Sequence, residues 1–203
     1  MKDNNWIVPK TFELTLFDGH PIILSYGNNI YSVESTGSTE IHKYDARNYI
    51  LIDTGAPKTI HAYEDLFFCE KDYSCYTNYN GITVEKLSEV LGMKITTLLG
   101  VDILSNYIVM LDYKSNVVKF YGRDIEFEGK EYNLSSINGI PIIELEIEQQ
   151  PIKLFLDTGA KISYLPKEYT SNFKSVGIES DFHPNFGIFQ TECFDIKTTF
   201  GNK

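Results

Sequence analysis

The sequence is poor in several things. It has three cysteines, seven prolines, three methionines and one tryptophan, and no apolar run long enough to cross a bilayer. Cys69, Cys75 and Cys193 are odd in number and too few for a disulfide scaffold, so reduced thiols are expected. The opening Met1-Lys2-Asp3-Asn4-Asn5-Trp6 lacks the basic start and apolar core of a secretory leader, and a cytoplasmic protein follows as the expectation. Basic charge is also scarce. Eighteen Lys and Arg face 28 Asp and Glu, a formal charge of −10 that repels phosphate backbones and argues against nucleic acid or an anionic membrane as partner. Disorder is excluded by the opposite count: 42% hydrophobic and 14% aromatic residues across 203 positions are enough for a substantial core.

The chain repeats itself. Phe17-Asp18-Gly19-His20-Pro21-Ile22-Ile23 reads like Ile137-Asn138-Gly139-Ile140-Pro141-Ile142-Ile143, and Ile50-Leu51-Ile52-Asp53-Thr54-Gly55-Ala56 like Leu154-Phe155-Leu156-Asp157-Thr158-Gly159-Ala160. The glycines lie 120 residues apart and the aspartates 104, so the first half carries 16 more residues between its landmarks. Polar Gly27 to Glu40 is the expected insertion, a longer loop or hairpin. Two copies of one tetrapeptide in a chain of this length would arise by chance in about one sequence in 100,000, so duplication is the better account.

Most of the remainder reads as β. Thr11 to Phe17, Pro21 to Tyr26, Arg47 to Ile52, Tyr107 to Asp112, Asn116 to Tyr121, Pro141 to Ile147 and Ile152 to Leu156 are short runs rich in Ile, Val, Leu, Phe and Tyr, broken by Gly, Asn and Asp. Glu144 to Glu148 alternates acidic and apolar residues, as a strand with one solvated face does. A helix is expected where Val84, Leu87 and Leu91 share a face between a Thr83 cap and Gly92, and a second helical turn after Gly100. Polar Gly122 to Lys130 separates the halves, giving two units, 1–128 and 129–203.

An aspartate placed just after a buried strand is costly unless hydrogen bonds compensate. If the two repeats pack about a pseudo-twofold axis, Asp53 and Asp157 meet and cannot both ionise comfortably. One proton is then shared, leaving one carboxylate as base and the other as acid. Such a pair activates a water for attack on a peptide carbonyl. Thr54 and Thr158 supply hydroxyls for the opposite loop, Gly55 and Gly159 let amides approach the carboxylates, and Ala56 and Ala160 permit close packing. The plainer alternative is a pair of turn aspartates bonded to their own backbone.

Both Asp-Thr-Gly-Ala segments, each preceded by two apolar residues, resemble the active-site pattern of the pepsin and retroviral aspartic proteases. Leu98-Leu99-Gly100 and the segment after it resemble the apolar-apolar-Gly strand and short helix that cross the Asp loop in that family. The likeness is greatest to small, two-lobed, retropepsin-like bacterial proteins. It implies an all-β fold of two β-barrel lobes related by a pseudo-twofold repeat, hydrolysis of a peptide or protein substrate through Asp53 and Asp157, and no metal or organic cofactor. A protease fold without activity, serving peptide binding or assembly, remains the alternative.

The spacing in the first half places a second apolar-apolar-Gly element near position 204. The second lobe is therefore expected to be incomplete, with only Thr198-Thr199-Phe200-Gly201 echoing Thr96 to Gly100. Self-association through an exposed edge is expected to follow. Family members cover the cleft with a hairpin. Ser74 to Thr83 carries the Asn80-Gly81 turn signal, so Tyr76 or Tyr79 is expected to face substrate, with Asp181 to Phe194 as the second-half counterpart. His61, Cys69, Cys75, His183 and Cys193 lack zinc-ligand spacing and read as packing or surface residues.

Overall fold

The apolar segments pair as their alternation requires, beginning with two strands, Lys10–Phe17 (β1) and His20–Tyr26 (β2). Asp18 and Gly19 join them, both at positive φ (46° and 86°), the two-residue turn whose twist matches the flanking strands. The structure is a computed structural model that describes residues 8–26, 30–35, 38–43, 47–122, 125–183 and 187–200. The expected insertion contains a separate hairpin, Ile30–Ser35 (β3) with Ser38–Lys43 (β4), and extends three residues beyond Glu40.

Arg47–Ile52 (β5) returns to pair with β2. Ile60–His61 (β6), the hairpin Asp65–Phe68 (β7) and Lys71–Ser74 (β8), helix Val84–Leu91 (α1), strand Thr97–Leu99 (β9), helical turn Val101–Leu104 (α2), and strands Ile108–Asp112 (β10) and Val117–Tyr121 (β11) complete the first half. Helix α1 sits where its caps place it: Thr83 Oγ1 accepts from the Lys86 N–H, and Gly92 adopts φ +67°.

Seven of these strands form one sheet in the order β10-β11-β1-β2-β5-β9-β6, antiparallel except for the parallel β5/β9 pair. The sheet is open, which corrects the expected closed barrel. Closure needs the two edge strands to pair, and β6, two residues long, offers too little edge to meet β10.

β5 is buried on both faces, which explains its unbroken apolar run. Ile50 and Ile52 enter a core with Leu14, Phe68, Leu99 and Phe120, whereas Leu51 enters a second core with Ile60, Val84, Leu87 and Leu98. Phe68 and Phe120 meet edge to face at 5.0 Å.

Residues 125–134 hold no strand or helix and lead into the second half. There Ser135–Ile137 (β12) and Ile140–Ile147 (β13) repeat the first hairpin, with Asn138 and Gly139 at φ 53° and 83°. Gln150–Phe155 (β14) pairs with β13, and the helical turn Lys167–Thr170 (α3), the hairpin Ser175–His183 (β15) with Gly187–Phe194 (β16), and Thr198–Phe200 (β17) follow. Glu148 lies in the β13–β14 turn at φ 50° and not in the strand, while Glu144 is exposed as expected.

β17 pairs antiparallel with Leu145, Glu146 and Ile147 of β13. The segment echoing Thr96 to Gly100 therefore does not run beside Asp157 as β9 runs beside Asp53. Among the described residues β14 carries no strand on its outer edge. The protein is thus mostly β, and no helix among the described residues is long and apolar enough to cross a membrane.

Candidate active site

Each Asp-Thr-Gly-Ala segment turns sharply at the end of an apolar strand, β5 or β14, and the two turns interlock. The Thr54 N–H donates to Thr158 Oγ1 at 3.1 Å, and the Thr158 N–H donates to Thr54 Oγ1 at 3.0 Å. Each threonine hydroxyl then donates to the carbonyl just before the opposite aspartate: Thr158 to Ile52 at 2.7 Å, and Thr54 to Leu156. Exchanging the two loops reproduces this set of four bonds.

The carboxylates are held within the same frame. Gly55 N–H donates to Asp53 Oδ1 at 2.8 Å, and Gly159 N–H to Asp157 Oδ1 at 2.9 Å. Both glycines are required by proximity: a Cβ on Gly55 would lie 2.3 Å from Asp157 Cγ, and one on Gly159 2.4 Å from Asp53 Cγ. Each carboxylate thus lies against the other loop's glycine, which brings the two side chains together.

Their surroundings differ. Asp53 is half-buried and Asp157 exposed. Burial raises the Asp53 carboxyl well above the ordinary aspartate range; the Asp157 charge and the hydrogen bond to it act in the same direction, against the pull of the Gly55 and Ala56 amides. Strand β9 supports only the Asp53 loop. Asp53 N–H donates to the Leu99 carbonyl at 3.1 Å, and Val101 N–H to the Ala56 carbonyl at 2.9 Å. Gly100 is where the chains cross, since a Cβ there would stand 2.7 Å from the Lys58 carbonyl carbon. Asp102 braces the crossing by accepting from both the N–H and the hydroxyl of Thr59, at 2.9 and 2.7 Å.

A cleft of about 750 Å³ opens over the two aspartates, with Gly55, Ala56, Gly159 and Ala160 in its floor. One wall is apolar, with Ile60, Ile82, Leu87, Val90 and Leu91; the facing wall is more polar, with Lys161, Tyr164, Asp181 and His183. Of the two tyrosines expected to face substrate, Tyr79 lines the cleft. Tyr76 lies outside it, its ring 5.4 Å from that of Tyr79.

The expected first-half flap is reduced to a single turn: Tyr79 and Ile82 exchange backbone hydrogen bonds at 3.0 Å around Asn80-Gly81, and Thr83 at once caps α1. The longer β7–β8 hairpin is pinned by buried Leu66 and Phe68. On the other side residues 180–183 and Ile188, from β15 and β16, line the cleft, so this hairpin begins earlier than the expected Asp181. Its expected turn residues 184–186 lie outside the described residues.

Three cleft residues were missed by sequence reasoning. His20 is buried and its Nδ1–H donates to the Gly159 carbonyl at 2.8 Å. Lys161 bridges Asp18 at 3.0 Å and Glu179 at 3.5 Å, and the Tyr164 hydroxyl donates to Asp181. Their signal was position: Lys161 directly follows the second motif, and His20 breaks the repeat where the second half has Ile140.

The histidines and cysteines set aside as metal ligands are dispersed. His61 is fully buried, with Nδ1 at Thr96 O (2.9 Å) and Thr97 Oγ1 (2.8 Å), and its pKa is lowered by burial. Burial pushes the Cys69 and Cys75 thiols up to about 12. No group of three or more His, Cys, Asp and Glu side chains arranged to hold a metal occurs among the described residues.

A scan against protein-family models, a search of curated proteins and a search of solved structures each return no match.

Proposed function

We propose that the chain is an aspartic peptidase of two lobes, divided near residue 128, that hydrolyses peptide bonds with a water held between Asp53 and Asp157. The observation that carries this reading is the reciprocal threonine bonding, which puts two carboxylates from sites 104 residues apart in one pair at the floor of a cleft. The raised Asp53 pKa supports a division of labour in which Asp53 keeps the proton and exposed Asp157 is the base.

In this mechanism Asp157 takes a proton from the water as the water oxygen bonds to the peptide carbonyl carbon. Asp53 gives its proton to the carbonyl oxygen, forming a neutral gem-diol. Collapse returns a hydroxyl proton to Asp53, the amide nitrogen takes the proton held by Asp157, and the C–N bond breaks to give a carboxylic acid and an amine. The cleft's volume and its apolar wall suit a peptide, with an apolar side chain seated against Leu87 and Leu91.

The test is cleavage of a diverse peptide pool from about pH 3 to pH 8 by the wild type and by Asp157→Asn. Acid-range cleavage that disappears in the variant is expected. A folded wild type that cleaves nothing would overturn the reading.

A second reading, a peptide-binding or assembly module without turnover, is favoured by the outer edge of β14, which no strand among the described residues covers, and by Phe155, 55% exposed beside it. It predicts peptide binding or self-association that survives both Asp53→Asn and Asp157→Asn.

A further inference from the structure

His20 opens β2 immediately after the Asp18–Gly19 turn and is only 7% exposed. Its Nδ1 lies 2.8 Å from the Gly159 carbonyl oxygen; because a carbonyl only accepts, Nδ1 carries the hydrogen. That carbonyl and the N–H of Ala160 belong to one peptide group, and this N–H donates to Asp157 Oδ1 at 3.2 Å. A peptide is a single resonant unit, so a donor on its oxygen strengthens the donor at its nitrogen. The result is a continuous chain from imidazole through peptide to carboxylate. The repeat places Ile140 at the matching position of the second half, and an aliphatic side chain has no hydrogen to donate.

We infer that His20 is a positioning residue which, through the Gly159–Ala160 peptide, favours negative charge on Asp157 and so keeps the pair's shared proton on Asp53. This rests on the peptidase reading for its consequence, namely which carboxylate takes the proton from water. The bond itself joins the two halves at a point where their loops differ.

Other ionisable groups face this region. Asp18 comes from the β1–β2 turn, Lys58 from the first loop, Tyr79 from the turn before α1, and Lys161 and Tyr164 from the segment after the second loop. Glu179, Asp181 and His183 come from β15. Asp18 and Glu179 pair with Lys161, and Asp181 accepts from Tyr164. None of these groups is hydrogen-bonded to the Gly159–Ala160 peptide, whereas the His20 bond acts on Asp157 through its own loop.

The test compares the pH dependence of kcat/KM for peptide cleavage in wild type, His20→Leu and His20→Asn. Losing the donor weakens the hold on the carboxylate, so in His20→Leu the acid limb should move to higher pH by roughly half to one unit. The Asn side-chain amide overlays Nδ1 and should return the limb to its wild-type position. An unmoved limb in folded His20→Leu, or a displaced one in His20→Asn, overturns the inference.

A measurement on the wild type alone guards against a variant that does not fold. The proton resonances of His20 Nδ1–H and of the Ala160 amide should move together as the pair passes through its lower titration, and static resonances would refute the chain. If no peptide is cleaved but both resonances move, the peptidase reading fails and the link between His20 and the carboxylate stands. If peptide is cleaved and they do not move, the link alone fails.

Discussion

The two halves carry the same loop and support it differently. Behind Asp53 lies a double core: β5 is buried on both faces, β9 runs parallel beside it, and Leu14, Ile23, Leu99, Val118 and Phe120 are each no more than 2% exposed. Behind Asp157 no hydrophobic residue among described residues 125–200 is buried that deeply, and the only buried ones are Ile147, 3% exposed, and Ile152, 7% exposed. Leu145, Leu154, Leu165 and Phe173 instead line a hollow of about 1120 Å³. Among the described residues, the position that β9 fills beside β5 has no strand beside β14. Loop geometry is therefore not a product of each half's own core. The second loop is bonded to the first half, through the threonine exchange and the His20 bond, and its aspartate stays exposed while its partner is half-buried.

The largest test of this contrast is a pair of core truncations. Phe120→Ala should cost about 3–5 kcal/mol in urea unfolding, whereas Ile147→Ala, which lines an already open hollow, should cost about 2 kcal/mol. Equal costs would mean the second half is packed as tightly as the first.

Next comes Gly159→Ala, whose methyl group meets Asp53 Cγ at 2.4 Å. It should lower kcat/KM by at least about 100-fold in steady-state peptide cleavage with little change in far-UV circular dichroism. Thr158→Val removes one donor to the Ile52 carbonyl and one acceptor for the Thr54 amide. A loss of about 2 kcal/mol is expected, and hydrogen exchange should rise more in β14 than in β5 because only β5 has β9 behind it.

A further test is the pH dependence of stability contributed by Asp53. Its folded pKa is raised, so between the ordinary aspartate value, about 3.9, and the folded value the native state binds more protons than the unfolded state. Its contribution is fully present below the ordinary value and is lost as pH rises through the folded one. Asp53→Asn should flatten the fall in urea midpoint with rising pH over that interval, and an unchanged slope would contradict the assignment.

Much of this was legible in the sequence because repeats and turns are local. Asp18-Gly19 and Asn138-Gly139 specify two-residue hairpins, Thr83 and Gly92 bound a helix, and the paired Asp-Thr-Gly-Ala motifs named the residues that meet. What escaped depends on distant partners. Nothing in Thr198-Thr199-Phe200 shows that it will pair with β13 and leave β14's edge uncovered, because both are edges that an extended apolar segment fits. Tyr76 and Tyr79 are indistinguishable by type; the tight turn at Asn80-Gly81 and the immediate start of α1 leave Tyr79 in the cleft and Tyr76 behind it. His20 was invisible because its partner is a backbone carbonyl 139 residues away.

The central claim is that Asp53 and Asp157 titrate as one pair with the proton on Asp53. Carbon-13 NMR of the aspartate carboxyls across pH, in wild type and in Asp157→Asn, tests it most directly. In the wild type, two linked steps are expected, with the upper one well above the ordinary aspartate value and assigned to Asp53. In Asp157→Asn the upper step should move down as the neighbouring charge is removed, stopping short of the ordinary value because burial remains. Two independent titrations near the ordinary value, unchanged for Asp53 by the substitution, would contradict the account.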